Sequence, residues 1–187
     1  MWPFSPVFIP KKDVRCMIEA QLPSLERAGV LCENYLRYVS WYHQPVDRDH
    51  LMDELLVNIY RHALKVQDQS YDAKAQINPD LHDLALLMSV LACGSTIDLD
   101  HTNEPKNKEG QLYYYLSRAS LGVPSIFESS SLSSVQTLAM LSLYDILSAR
   151  KNTLEEGWKV VGIGANIAGS VRKYHRTVAK SIRNFFI

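Results

Sequence analysis

The 187-residue sequence predicts an all-α fold, and three observations carry that prediction. Apolar residues recur three and four apart in segment after segment, the segments are punctuated by Pro, Asn and Gly, and no pair of alternating runs resembles a hairpin. The first segment follows Pro23, where Leu25, Ala28, Cys32, Tyr35, Leu36 and Val39 fall on one helical face. Pro45 and Asp47 close it and open the next, in which Leu51, Leu55, Ile59 and Ala63 repeat at intervals of four. Asn78 before Pro79 reads as a cap followed by proline at the first helical position, where its missing N–H costs nothing. From there Leu81, Leu84, Leu87, Met88, Val90 and Leu91 make a helix apolar on most sides up to Gly94, which predicts a central position.

The stretch TNEPKNKEG reads as a solvated loop. After it Leu112, Tyr115, Leu116 and Ala119 mark a helix that stops at Gly122. The serines from Ser129 to Ser134 read as a loop and a cap. Ser133 with Gln136 has the form of a capping box before Leu138, Leu141 and Leu143, and Thr153 with Glu156 repeats that form before Trp158, Val161, Ala165 and Ala168. The expected architecture is a bundle of about six helices, a partial version of a larger helical domain.

Length and composition narrow the function. The chain has room for one domain or a piece of one, and 47% hydrophobic with 21% charged residues exclude gross disorder. Cys16, Cys32 and Cys93 are too few and too widely spaced for a disulfide scaffold or a zinc ribbon, which favours a reducing compartment. The opening MWPFSPVFIPKK places its charge after a Pro-broken apolar stretch, the reverse of a signal peptide, and no run approaches the roughly 18 apolar residues of a membrane span. Lys plus Arg equal Asp plus Glu at twenty each, so no overall basic excess points to nucleic acid. The balance is uneven along the chain: residues 1–156 carry fourteen basic against twenty acidic residues, while residues 157–187 carry six basic residues and no acid.

Chemistry-bearing patterns fail one by one. In KVVGIGANIAGS, Val160, Val161, Gly162 and Gly164 imitate a strand entering a dinucleotide-binding turn, but Ile167 occupies the third glycine position and no acid follows to hold a ribose. The reading preferred here is a small-residue face of Gly162, Ala165, Ala168 and Gly169 on which another helix packs closely. His50 and Glu54 form an i, i+4 pair, but no H-E-x-x-H is present, and His43, His62, His82 and His101 lie in separate segments, short of the four converging ligands of a closed zinc site. No G-x-S-x-G elbow occurs, and Cys32 and Cys93 sit on apolar faces as core residues. Trp41, Tyr42, Tyr60 and Tyr113–Tyr115 are read mainly as core, with a tyrosine-lined ligand cleft as the alternative. No catalytic, cofactor-binding or metal-binding residue is assigned, and the ligand-binding residues are left open.

Four blocks, LPSLERAGVLCENYLRYVSWYHQPVDRDHLMDELL, HDLALLMSVLACGSTIDL, YYYLSRASLGVPSIFESSSLSSVQTLAMLSLYDILS and EEGWKVVGIGANIAGSV, taken in order, resemble the fungal-specific transcription factor domain. This is the middle homology region of fungal zinc-cluster transcription factors. The resemblance runs from Leu22 to Val171 and is sharpest at Leu22-Pro23, Trp41–Arg48, His82–Leu86, Ser134–Leu138 and Trp158. It implies an all-helical regulatory module in the nucleus, controlling transcription through the transcription machinery, other regulatory proteins or an effector, with no catalytic residues to transfer. The alternative is a helical enzyme or small-ligand-binding protein.

Two departures qualify the resemblance. Three scattered cysteines cannot build the family's six-cysteine zinc cluster, so no zinc and no sequence-specific DNA binding are expected of this chain alone. The family's continuation after Val171 is replaced by a basic stretch, so the domain reads as truncated on its C-terminal side and its small-residue helix as incompletely covered. The resulting division is an N-terminal extension over 1–21, the partial regulatory domain over 22–171 and a basic tail over 172–187. The resemblance stops after Val171 as acidic residues vanish, and Arg172-Lys173-Tyr174 can be encoded by CGT-AAG-TAY, which contains the splice-donor sequence GTAAGT, so the tail is read as translated intron or another gene-model artefact. The competing reading is a genuine amphipathic helix, with Val171, Tyr174, Val178, Ile182 and Phe185 on one side, that binds membrane or closes the core.

Overall fold

The computed structural model describes residues 10–67, 79–98, 108–124, 131–148 and 153–171, and among them every regular element is helical. In chain order they are α1 (Lys11–Glu19), α2 (Leu25–Tyr38), a π-helical stretch (His50–Leu56) that runs directly into α3 (Val57–Gln67), α4 (Leu81–Thr96), α5 (Lys108–Gly122), α6 (Leu132–Leu147) and α7 (Thr153–Val171). The all-α expectation is met, with seven α-helices described where about six were expected. No described helix is long and apolar enough to cross a membrane.

Two helices form the centre. α4 is buried from Leu81 to Ser95 except at Asp83, and α6 is buried from Ser134 to Asp145. A helix apolar on all sides must be surrounded. α4 is therefore covered by α5, α6 and α2, while α6 carries α7 on its other side. Gly94 lies inside α4 rather than ending it, because Leu31 of α2 comes against it there: a β-carbon on Gly94 would stand 2.8 Å from the Leu31 carbonyl carbon.

Helix starts differ from the sequence expectation at four places. α4 begins after Asp80, whose side chain and that of Asp83 form a reciprocal capping box, and Pro79 precedes the helix; Asn78 lies outside the described residues. α6 is capped by Ser131 with Ser134, two residues before the expected Ser133 and Gln136, because those two side chains are engaged in tertiary bonds. Thr153 is already the first residue of α7, and Lys108–Gly110, expected in a loop, form the first turn of α5.

Two helices present a different face from the one expected. On α5, Leu112, Tyr115 and Ala119 are exposed, and Gly110, Tyr113, Tyr114, Ser117, Ser120 and Leu121 are buried. The small residues allow α5 to lie close to α4, where the Ser117 hydroxyl donates to the Ala85 carbonyl at 2.7 Å. On α7, Trp158, Gly162, Ala165 and Gly169 are exposed; Gly157, Val160, Gly164, Ile167 and Val171 face α6. A β-carbon at Gly162 or Gly169 would meet nothing within 4 Å, so the expected close packing on that small-residue face is absent among the described residues. Residues 172–187 lie outside the described residues.

α1, placed by the sequence in an extension, touches α5 and contributes Ile18 to the core. Its buried Glu19 accepts from Arg15 Nε at 2.7 Å and lies 3.0 Å from His62 Nδ1 of α3.

Candidate functional site

Three of the sharpest sequence pieces, Trp41–Arg48, His82–Leu86 and Ser134–Leu138, are tied together by side chains. At the adjoining N-termini of α4 and α6, Ser133 Oγ donates to Asp83 Oδ1 at 2.6 Å, and Ser131 Oγ lies 3.0 Å from Nδ1 of the fully buried His82. One turn into α6, Gln136 Nε2 donates to the Pro45 carbonyl at 2.6 Å, and from α2 the Tyr35 hydroxyl donates to the His43 carbonyl at 3.2 Å. Val46 is buried beside them. The segment after α2 is thus clamped by its backbone at His43 and Pro45.

Held this way, the turn projects its aromatics. Trp41 and Tyr42 are 79% and 71% exposed, with their rings edge to face at 5.9 Å. The Trp41 indole N–H donates to the Tyr38 carbonyl at 2.8 Å, so its polar atom is bound within the turn and the ring face remains outward. Arg37 lies over the ring of Tyr38, which is also exposed. Large aromatics in such a position are the side chains that dominate protein interfaces. The sequence expectation that Trp41 and Tyr42 belong mainly to the core is not met.

Among the described residues, the other tyrosines do not join them in one cleft. Tyr114 stacks on Tyr144 at 4.8 Å, donates to the buried Asp145 at 3.2 Å and receives Arg118 over its ring and hydroxyl. Tyr113 donates to Glu109, and the Tyr60 hydroxyl donates to the Pro23 carbonyl at 2.7 Å. Burial pushes the phenols of Tyr35, Tyr60, Tyr113 and Tyr114 above their ordinary range, which keeps them neutral donors. These are packing and hydrogen-bonding roles.

The candidate reactive groups are similarly committed. Cys32 and Cys93 are buried as expected; burial pushes the Cys32 thiol up to about 12 and the Cys93 thiol still higher, opposing formation of the thiolate nucleophile. His82 with Ser131 and Asp80 has the composition of a catalytic triad without its geometry. Both partners approach the same nitrogen, Nδ1, at 3.0 and 3.4 Å, whereas a relay needs the serine on one ring nitrogen and the acid on the other. Burial lowers the His82 pKa against the opposing pull of Asp80 and Asp83, and burial pushes His43 down to about 4. His50 and Glu54 do pair, at 2.9 Å on the exposed side of the π-helical stretch. No group of three or more His, Cys, Asp or Glu side chains among the described residues could hold a metal ion, and His101 lies outside them.

One further cluster was not visible in sequence. Arg27 of α2 reaches Asp98, just past α4, at 2.6 Å and grips Glu109 of α5 with two bonds of 2.7 and 3.2 Å. The bond to Glu109 leads in raising the arginine pKa, with Asp98 adding to it, so the guanidinium remains charged while it joins three elements. The 71- and 82-residue separations leave no local signal.

A model of the fungal specific transcription factor domain matches residues 37–180. The chain belongs to that family. The matched region starts near the end of α2 rather than at Leu22 and runs past Val171 into the basic tail. It includes the aromatic turn, Gln136 and the Pro45 carbonyl it holds, both central helices and α7, while Tyr35 lies just before it. No curated protein and no solved structure matches the chain. The family is one of transcription factors and not of enzymes, and its members in general work in the nucleus.

Proposed function

We propose that this fungal transcription factor domain acts as a regulatory module that does not itself contact DNA, and that it controls transcription in the nucleus by docking a protein of the transcription apparatus on the Trp41–Tyr42 turn. The observation that carries this reading is the combination of two highly exposed aromatics with a backbone clamped at His43 and Pro45. A pre-organised turn loses little conformational freedom on binding, so the aromatic area it presents translates efficiently into affinity. The module needs no zinc of its own and performs no catalysis. The three widely spaced cysteines, two of them buried thiols, supply no cluster through which to read bases.

The test is transcriptional. The full chain, fused to an unrelated DNA-binding domain in a fungal cell, is expected to change the output of a reporter, and Trp41→Ala with Tyr42→Ala is expected to remove that change while far-ultraviolet circular dichroism and Tm stay as in the parent. A reporter indifferent to the parent fusion, or equally affected by the double substitution, refutes the proposal. Nanomolar binding by the unfused chain to one DNA sequence, lost on scrambling, refutes the claim that it does not contact DNA.

A further inference from the structure

α7 packs on α6 and turns a second apolar face outward. Trp158, Gly162, Ala165 and Gly169 are exposed there, Trp158 at 75%, and at about 100° per residue the four fall within about 60° of arc. Half-buried Val161 and Ala168 border them on one flank, and exposed Glu155, Lys159, Asn166 and Ser170 on the other. The apolar exposure continues onto the end of α6 at Ile146 and Leu147, next to Asp145, whose Cβ would lie 3.7 Å from a β-carbon on Gly157. An exposed apolar patch rimmed by polar residues marks an interaction surface.

The order of large and small side chains along this face names its occupant. Trp158 and Gly169 stand equally far from the point between Ile163 and Gly164, and so do Gly162 and Ala165. When a second α7 is laid on the first in the opposite direction, about a two-fold axis at that point, Trp158 faces Gly169 of the partner subunit and Gly162 faces Ala165 of the partner subunit. No other antiparallel register pairs all four. A β-carbon on Gly162 or Gly169 would meet nothing within 4 Å, so each glycine leaves a recess for a neighbour's side chain, and the helix axes can approach to about 8 Å. A two-fold interface requires this reciprocity, in which one residue meets a second and the second meets the first.

The charges select the same arrangement. In the antiparallel pair the two polar flanks run side by side, so Lys159 comes against the uncharged Asn166 and Ser170 of the partner subunit. Glu155, which otherwise pairs only along its own helix with Lys159 at 2.9 Å, comes to the end of the second α7, where Arg172-Lys173 follow Val171 in the sequence. Opposite charges meet and like charges do not. A parallel pair would set each of Trp158, Glu155 and Lys159 on its own copy, with no recess for the indole and with like charges in contact.

We propose that the outward face of α7 is a homodimer interface, occupied by a second copy of the chain in the antiparallel register that seats Trp158 over Gly169 of the partner subunit. The contact is one helix pair with the adjoining ends of α6, below about 1,200 Å² in total, the size of weak and reversible complexes, so the dimer forms in the micromolar range. It uses no residue of the aromatic turn and stands whether or not that turn docks a protein.

Sedimentation velocity of the full chain across the micromolar range tests this. The parent is expected to pass from monomer to dimer as its concentration rises. Trp158→Ala leaves both recesses unfilled and is expected to weaken association about thirtyfold or more, as loss of a central tryptophan does. Gly169→Leu adds apolar surface at a position where a β-carbon meets nothing in the monomer, so the fold is kept and a merely adhesive patch would associate more strongly; with Trp158 seated there, this variant is expected to be monomeric. Mixed together, the two variants are expected to form a heterodimer, since at one contact an intact Trp158 meets an intact Gly169 and at the other the introduced leucine meets the introduced alanine. A Gly169→Leu protein that associates as well as the parent, or a mixture without heterodimer, overturns the proposal. So does a parent that stays monomeric; if its Trp158, read with Trp2 and Trp41 replaced by Phe, is then shielded from acrylamide, the face belongs to residues 172–187 of the same chain instead.

Discussion

Replacing Gly94 by Ala offers a sharp test of how the two-helix contact at the centre is built. On an isolated helix this substitution is favourable by about 1 kcal/mol, because alanine loses less backbone entropy than glycine. Here the added methyl would lie 2.8 Å from the Leu31 carbonyl carbon, 3.2 Å from its Cα and closer still to its oxygen. Comfortable carbon–carbon contact begins at about 3.5 Å. The obstructing atoms are backbone, so no side chain can rotate away; α2 would have to withdraw by about 1 Å, loosening Ala28, Leu31, Cys32 and Tyr35 together. Overpacking costs of about 1–3 kcal/mol, and more where rigid backbone is displaced, outweigh the propensity gain. The expected net loss is about 3 kcal/mol, or a fall in Tm of about 6–12 °C for a chain of this size. Thermal and urea unfolding followed by circular dichroism measure it, with Gly162→Ala as the chemically identical control at a site where the methyl meets nothing within 4 Å. The control is expected to gain up to about 1 kcal/mol. A Gly94→Ala protein as stable as the parent, or a control equally damaged, would refute the argument that backbone contact at Gly94 sets the α2–α4 spacing.

Arg27→Ala should cost about 1–3 kcal/mol, since it removes the guanidinium that bridges the buried Asp98 and Glu109, and Arg27→Lys should recover only part because an ammonium cannot reproduce the two-pronged grip on Glu109; urea titration of both variants measures this. Ser131→Ala should lose about 1–2 kcal/mol, as the α6 cap and one of the partners of His82 disappear together, again read by urea unfolding. His43 and His82 have lowered pKa values in the folded protein, so the unfolded chain binds their protons more readily. Stability should be complete above about pH 6.5 and decline as pH falls below it, His43 contributing up to about 1.4 kcal/mol per pH unit down to about 4 and His82 acting in the same direction, and His43→Gln should flatten the slope of urea midpoint against pH.

Much of the helical framework was legible because helix formation and burial leave local traces. The central position of α4 follows from its unbroken apolar run, and the core placement of Cys32 and Cys93 follows from their neighbours. Helix azimuth was less legible. α7 is apolar on two faces, one with Trp158, Val161 and Ala165 and the other with Val160, Ile167 and Val171, so periodicity alone could not select the second as the face on α6. α5 misled for a related reason: close approach to α4 favours Ser117 and Ser120 over Leu112. For the candidate site, Trp41 and Tyr42 were picked out as residues, but their exposure depends on partners as remote as Gln136, which carry no local signature.

The sequence by itself determined the all-α class, most helix segments, the two buried thiols and, through four ordered blocks, the family. These depend on periodicity, composition and order, which are properties of the chain read one stretch at a time. Only the tertiary structure decided which glycine meets a neighbouring backbone, which serine caps α6, how the Arg27 cluster assembles and that His50–Leu56 is wound as a π-helix. Each of those outcomes is a contest between local preference and the position of atoms far away in the chain: Gly94 is free until Leu31 arrives, and Ser133 could cap until Asp83 accepts its hydroxyl.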